Sequence, residues 1–74
     1  MNEVLFPNAE LPLSPREQEA LDLLLDQLTN KQIALRLGIS EKMVEKHLSH
    51  LYRKTNTRCR AGAVRWALKR KNNR

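Results

Sequence analysis

Residues 29–54, TNKQIALRLGISEKMVEKHLSHLYRK, constrain the fold more than any other part of the chain. Thr29 followed three residues later by Gln32 forms a capping box, which predicts a helix start. Ile33, Ala34 and Leu37 then recur at helical spacing and face inward. Gly38 follows directly, and glycine accepts the left-handed conformation that ends a helix and allows a tight turn. Ser40 caps a second, longer helix, with Glu41 at its positive end and Ile39 buried at the corner. On a helical wheel Val44, Leu48 and Leu51 fall within about 40° of one line. Lys42, Lys46, Ser49 and Arg53 fall near the opposite line, flanked by Glu45 and His50. A short helix, a tight turn and a longer helix with two unlike faces make a helix-turn-helix, in which one helix can enter a DNA major groove. A charged helical face taken alone is ordinarily just solvated, so the rest of the chain has to decide its meaning.

The flanking segments complete an all-α domain. Ser14, Pro15 and Glu17 are an N-cap, a first-turn proline and the third residue of a capping box. They open a helix carrying Leu21, Leu24, Leu25 and Leu28. After the second helix of the pair, which runs to about Lys54, TNTRC (residues 55–59) reads as a loop. A last helix covers roughly residues 60–70, with Ala63, Val64, Ala67 and Leu68 as its apolar stripe and Trp66 to one side. Residues 1–12, with Pro7 and Pro12 and no clear period, read as an N-terminal tail whose Leu5 or Phe6, or Leu13 just beyond it, packs on the domain. Residues 13–70 are the domain, and 71–74 are a basic tail. No period-2 pattern suggests a strand.

Charge is divided unevenly along the chain. Residues 1–28 hold Arg16 against six acidic residues (Glu3, Glu10, Glu17, Glu19, Asp22, Asp26), a net −5. Residues 29–74 hold thirteen Lys and Arg against Glu41 and Glu45, a net +11, which gives the whole chain its +6. One side of such a fold faces a polyanion and the other does not. A chain of 74 residues makes one small domain with a modest core. A single cysteine, Cys59, allows no internal disulfide, and no apolar run approaches the length of a membrane span. These features favour a cytoplasmic setting. Enzymatic activity is not expected: two glycines build no phosphate-cradling loop, and no nucleophile–base set stands out, so no catalytic residue and no cofactor are assigned. His47, His50 and Cys59 match no zinc spacing and lack a fourth ligand, so no metal is expected either.

Taken together, LSPREQEALDLLL, the segment 29–54 and RAGAV resemble the LuxR/GerE-type helix-turn-helix family of bacterial transcription regulators. The pattern is carried by Leu13, Ser14, Arg16, Glu17, Thr29, Asn30, Lys31, Ile33, Ala34, Leu37, Ile39, Ser40, Val44, His47, Lys54, Arg60, Ala63 and Val64, which span nearly the whole domain. The resemblance implies a four-helix LuxR-type domain, similar to the winged-helix superfamily without the wing. It implies a stand-alone, GerE-like member or a piece of a longer chain. It also implies dimerisation through the last helix, binding to two-fold related DNA half-sites, and activation or repression of transcription. The implied partners are double-stranded DNA, a second copy of the chain and RNA polymerase, with no membrane. Six positions depart from the family pattern. Gln27 stands in place of glycine after the first helix, which predicts a rebuilt turn. Met43 replaces a threonine, and Glu45 replaces a residue that is often basic. Thr55 and Thr57 replace apolar residues, which predicts a looser loop, and Cys59 is a weaker cap for the last helix.

Residue roles follow from this resemblance and from side-chain chemistry. Glu45, Lys46 and Ser49 are the expected base readers: Lys46 donates to guanine, Ser49 pairs with several bases, and Glu45 accepts from cytosine. Asn30, Lys31, Lys42, Arg53, Lys54, Arg58 and Arg60 are the expected phosphate contacts, with the helix starts at Asn30 and Glu41 adding backbone N–H groups. Val64, Ala67 and Leu68 are the expected dimer seam, although the same residues also suit packing on the first helix. His47 suits a boundary position, His50 a place near DNA or solvent, and Cys59 an inert thiol. Three rival readings use the same surfaces: a sigma-factor-like promoter-binding domain, a protein-binding adaptor, and a membrane-surface module built on RWALKRKNNR.

Overall fold

The computed structural model describes residues 13–72, with side chains to residue 70. The expected N-terminal tail of residues 1–12 lies outside the described residues, as do the last two residues of the basic tail. Among the described residues there are four helices and no strand: α1 (Pro15–Leu25), α2 (Asn30–Leu37), α3 (Glu41–Thr55) and α4 (Arg60–Asn72).

Local chemistry sets each boundary. Ser14 is extended, accepts a hydrogen bond from the Glu17 N–H at 3.2 Å, and donates its own N–H to Glu17 Oε1 at 2.8 Å. Thr29 and Gln32 repeat this box at the start of α2, at 3.2 and 2.8 Å. Ser40 caps α3 by accepting from the Met43 N–H at 3.1 Å. Each box satisfies amides that the first turn leaves without an intrahelical partner, worth about 1 kcal/mol per cap. Gly38 ends α2 in the left-handed region at φ 71°, and Asn56 ends α3 at φ 57°.

Two predicted departures turn out otherwise. The turn after α1 keeps a left-handed residue, with Gln27 itself at φ 65°. Leu28 N–H bonds Leu23 O at 3.1 Å and Gln27 N–H bonds Leu24 O at 2.8 Å, the paired bonds of a Schellman end. These bonds hold a side-chain-bearing residue in a conformation that costs it about 1 kcal/mol or more. Leu28 therefore lies beyond α1 rather than on it, half-buried against the core. The loop after α3 is firm rather than loose. Thr55 is buried, its hydroxyl donates to Leu51 O at 2.9 Å, and the Thr55 and Thr57 hydroxyls lie 2.8 Å apart. Gly62 lets this loop approach α4, because a Cβ there would sit 3.3 Å from Thr57 Cβ. The last helix also continues to Asn72, two residues past its expected end, since nothing in RWALKRKN breaks a helix.

α3 touches all three other helices. Val44, Leu48 and Leu51 from α3 meet Ala20, Leu21, Leu23 and Leu24 from α1, Ile33 and Ala34 from α2, and Ala63 and Ala67 from α4. Leu24, Ile33, Leu51 and Val44 are the largest fully buried side chains. Each contributes roughly 1.5–3 kcal/mol by leaving water. Leu13, Leu25, Leu37, Ile39, Tyr52, Val64 and Trp66 pack around this core while staying partly exposed.

Candidate nucleic-acid interface

Burying Val44, Leu48, Leu51 and Thr55 turns the rest of α3 outward. Lys42, Glu45, Lys46, Ser49 and Arg53 are all exposed on it. Lys31 is exposed in the first turn of α2, and Arg58 is exposed in the loop before α4. The face is thus a polar helix surface with a mainly cationic edge and one carboxylate, Glu45, among the expected base readers. Met43 adds an exposed apolar group in the first turn of α3.

Glu17 holds this helix in place. The sequence assigns it a place in a capping box at the positive end of α1, yet the residue is 4% exposed and its carboxylate reaches across to α3. Oε1 accepts from Lys54 Nζ at 2.7 Å, and Oε2 lies 4.0 Å from His50 Nδ1. Burial pushes the Glu17 carboxyl up. The Lys54 ammonium and the Ser14 N–H together outweigh that and hold it below its ordinary value. Lys54, expected at a phosphate, is therefore engaged with α1 and anchors the C-terminal end of α3. The pairing had a partial signal in the sequence, since a lysine near the end of an amphipathic helix and a glutamate in a first turn both seek partners. Nothing there showed that the two meet.

Two more expected phosphate contacts bond to each other. Arg60 Nη1 donates to Asn30 Oδ1 at 2.9 Å, and its Nη2 donates to Leu28 O. Both residues are part-buried. Of the ten expected base and phosphate contacts, the structure thus presents Glu45, Lys46, Ser49, Lys31, Lys42, Arg53 and Arg58 outward, and binds Asn30, Lys54 and Arg60 internally.

α4 differs from the expected seam in one residue. Ala67 is 6% exposed and belongs to the core, because the helix turns it toward α1 and α3. Leu68 is 47% exposed, Val64 is half-buried, and Ala61 is exposed. These three lie within about 60° on a helical wheel and form an outward apolar stripe. Ala61 escaped the sequence reading because it precedes the first core residue of the helix. On another side of α4, the Arg70 guanidinium sits 4.7 Å from the Trp66 ring centroid.

No group of three or more potential metal ligands occurs among the described residues, and no described helix is long and apolar enough to cross a membrane. His47 is half-buried at the edge of the core and Cys59 is an exposed free thiol.

Comparison with known proteins agrees with this geometry. The family described as "Bacterial regulatory proteins, luxR family" matches residues 11–67. The chain belongs to this family. It carries a LuxR-type DNA-binding domain, the type of domain that the four-helix arrangement and the two-faced α3 describe. It is 49% identical over 61 residues to a "Probable transcriptional regulator ycf29" of Cyanophora paradoxa, covering 82% of this chain and 29% of that protein. It is 48% identical over 59 residues to "Response regulator Rre1" of Synechocystis, covering 80% of this chain and 26% of the relative. Among solved structures it is similar to the response regulator ChrA of a heme-sensing two-component system, with a TM-score of 0.78 and 39% identity. That match covers 82% of this chain and 30% of the other. The chain thus spans less than a third of the length of these relatives.

Proposed function

We propose that this chain regulates transcription by binding DNA in a sequence-specific manner. It binds as a dimer to two-fold related half-sites, with α3 in the major groove. The observation that carries this reading is the division of α3: a fully packed apolar face behind, and Lys42, Glu45, Lys46, Ser49 and Arg53 exposed together in front. Lys31 and Arg58 add exposed cations on the neighbouring segments.

In this reading Lys46 donates to guanine O6 and N7, Ser49 pairs with a base edge, and Glu45 accepts from cytosine N4. Glu45 is repelled by phosphates, so it selects sequence more than it adds affinity. Lys31, Lys42, Arg53 and Arg58 neutralise phosphates and release counterions, which makes binding steeply salt-dependent. The amides of Asn30 and Lys31 at the start of α2 add hydrogen bonds to a phosphate oxygen. Ala61, Val64 and Leu68 of α4 form the dimer seam, and RNA polymerase is a downstream partner. A two-fold dimer suits half-sites about one helical turn apart.

Selection from a random duplex library at near-physiological salt tests the reading. Enrichment of a two-fold symmetric motif is expected. Binding with no enriched motif would reduce the chain to a polyanion binder and remove the base-reading roles of Glu45, Lys46 and Ser49.

A further inference from the structure

Arg60 stands where three parts of the fold meet. It is the first residue of α4. Its guanidinium forks onto the Leu28 carbonyl, in the turn between α1 and α2, and the Asn30 side-chain oxygen. Leu28 and Asn30 flank Thr29, the N-cap of α2. The two bonds therefore grip the α2 cap from both sides and tie it to the start of α4. Both acceptors are neutral, so the arginine keeps its full positive charge at the end of α2 where the helix dipole is also positive.

We infer that Arg60 is a positioning residue for DNA binding: it fixes the first turn of α2, and with it the aim of Lys31 and of the Asn30 and Lys31 amides, and touches no phosphate itself. This rests on the DNA-binding reading above. A planar fork suits the task because it holds two acceptors at fixed separation and angle. Lysine keeps the charge but offers a point donor on a flexible stem, and it cannot define that angle. The same fork makes the phosphate-binding end of α2 and the start of the proposed seam helix move as one body.

The test compares the whole chain with Arg60→Lys, Arg60→Gln and the milder Asn30→Ala, each at a temperature where it is folded. The first readout is the amide NMR spectrum without DNA. Shifts at Thr29, Asn30 and Lys31 are expected in all three variants. The second is affinity for a selected duplex as a function of salt. Both arginine variants are expected to bind about tenfold more weakly per folded molecule, with the wild-type salt slope and no rescue by lysine. If the arginine variants do not fold, Asn30→Ala carries both readouts, with a smaller loss and the same slope.

Wild-type affinity in Arg60→Lys, with a salt slope reduced by about one in Arg60→Gln, would show a direct phosphate contact and overturn the inference. Unshifted amides, or unchanged affinity per folded molecule, would overturn it as well. A wild-type chain with no salt-dependent affinity for duplex DNA would instead overturn the DNA-binding reading on which the inference stands.

Discussion

α3 and α4 are helices of similar length that share one core, yet they leave different apolar surface outside. α3 buries Val44, Leu48 and Leu51 and leaves lysines, arginine, serine and glutamate outside. α4 fills its share of the core with two alanines, Ala63 and Ala67, and leaves Leu68 and part of Val64 outside beside the exposed Arg65, Lys69 and Arg70. A helix that exposes charge is suited to a polyanion or to water. A helix that buries its small residues and exposes a larger one has apolar surface still to cover. The difference separates two jobs, reading DNA and joining a second copy, which the proposed function assigns to these two surfaces.

The comparison is broken most severely from the buried side. Leu51→Ala removes a fully buried side chain from the point where α3 meets its neighbours. It should destabilise the domain by about 2–5 kcal/mol, read by denaturant or thermal unfolding. In so small a domain, that approaches the whole of its stability.

The next effect tests how α3 is anchored. Glu17→Gln removes the charge facing Lys54 and should cost about 1–3 kcal/mol, less than a fully buried pair because Lys54 keeps some access to water. The sign with pH follows from the lowered carboxyl. The contribution of Glu17 is fully present above the unfolded carboxylate value and is lost as pH falls through the lower folded value. Wild-type stability measured from neutral to acid pH should therefore decline at the acid end, and Glu17→Gln should flatten that decline. An equal decline in both proteins would show that other carboxylates govern it.

Lys46→Ala sharpens the comparison on the polar side. Discrimination at one base position per half-site should fall by about 1–3 kcal/mol, measured with operator variants, with little change in folding stability. Gln27→Gly should raise stability by about 1 kcal/mol in thermal unfolding, because glycine takes the left-handed turn without strain. Leu68→Glu should change monomer stability by no more than about 0.5 kcal/mol, since the side chain is largely outside the core. It should still weaken self-association on DNA, measured by sedimentation with one-half-site and two-half-site duplexes. Equal behaviour on both duplexes would remove Leu68 from the seam.

Much of this was legible in the sequence because the signals were local. Three caps, a glycine stop and the period of Val44, Leu48 and Leu51 each act within a turn or two, and the helices formed where those signals stood. What escaped was long-range. Glu17 to Lys54 and Arg60 to Asn30 span 37 and 30 residues, and no periodicity shows which charges a fold will bring together. Charged side chains therefore looked alike in the sequence, whereas the structure sorts them into anchors and an outward set. Ala67 was ambiguous for a related reason, since an alanine on an apolar stripe suits a core and a close helix contact equally.

The most direct test of the division between α3 and α4 is to map amide shifts of the whole chain on adding a duplex that carries one half-site. The account predicts that the changes run along α3 from Lys42 to Arg53 and through the first turn of α2, while Ala61, Val64 and Leu68 stay still. Changes centred on α4, with α3 unmoved, would contradict it.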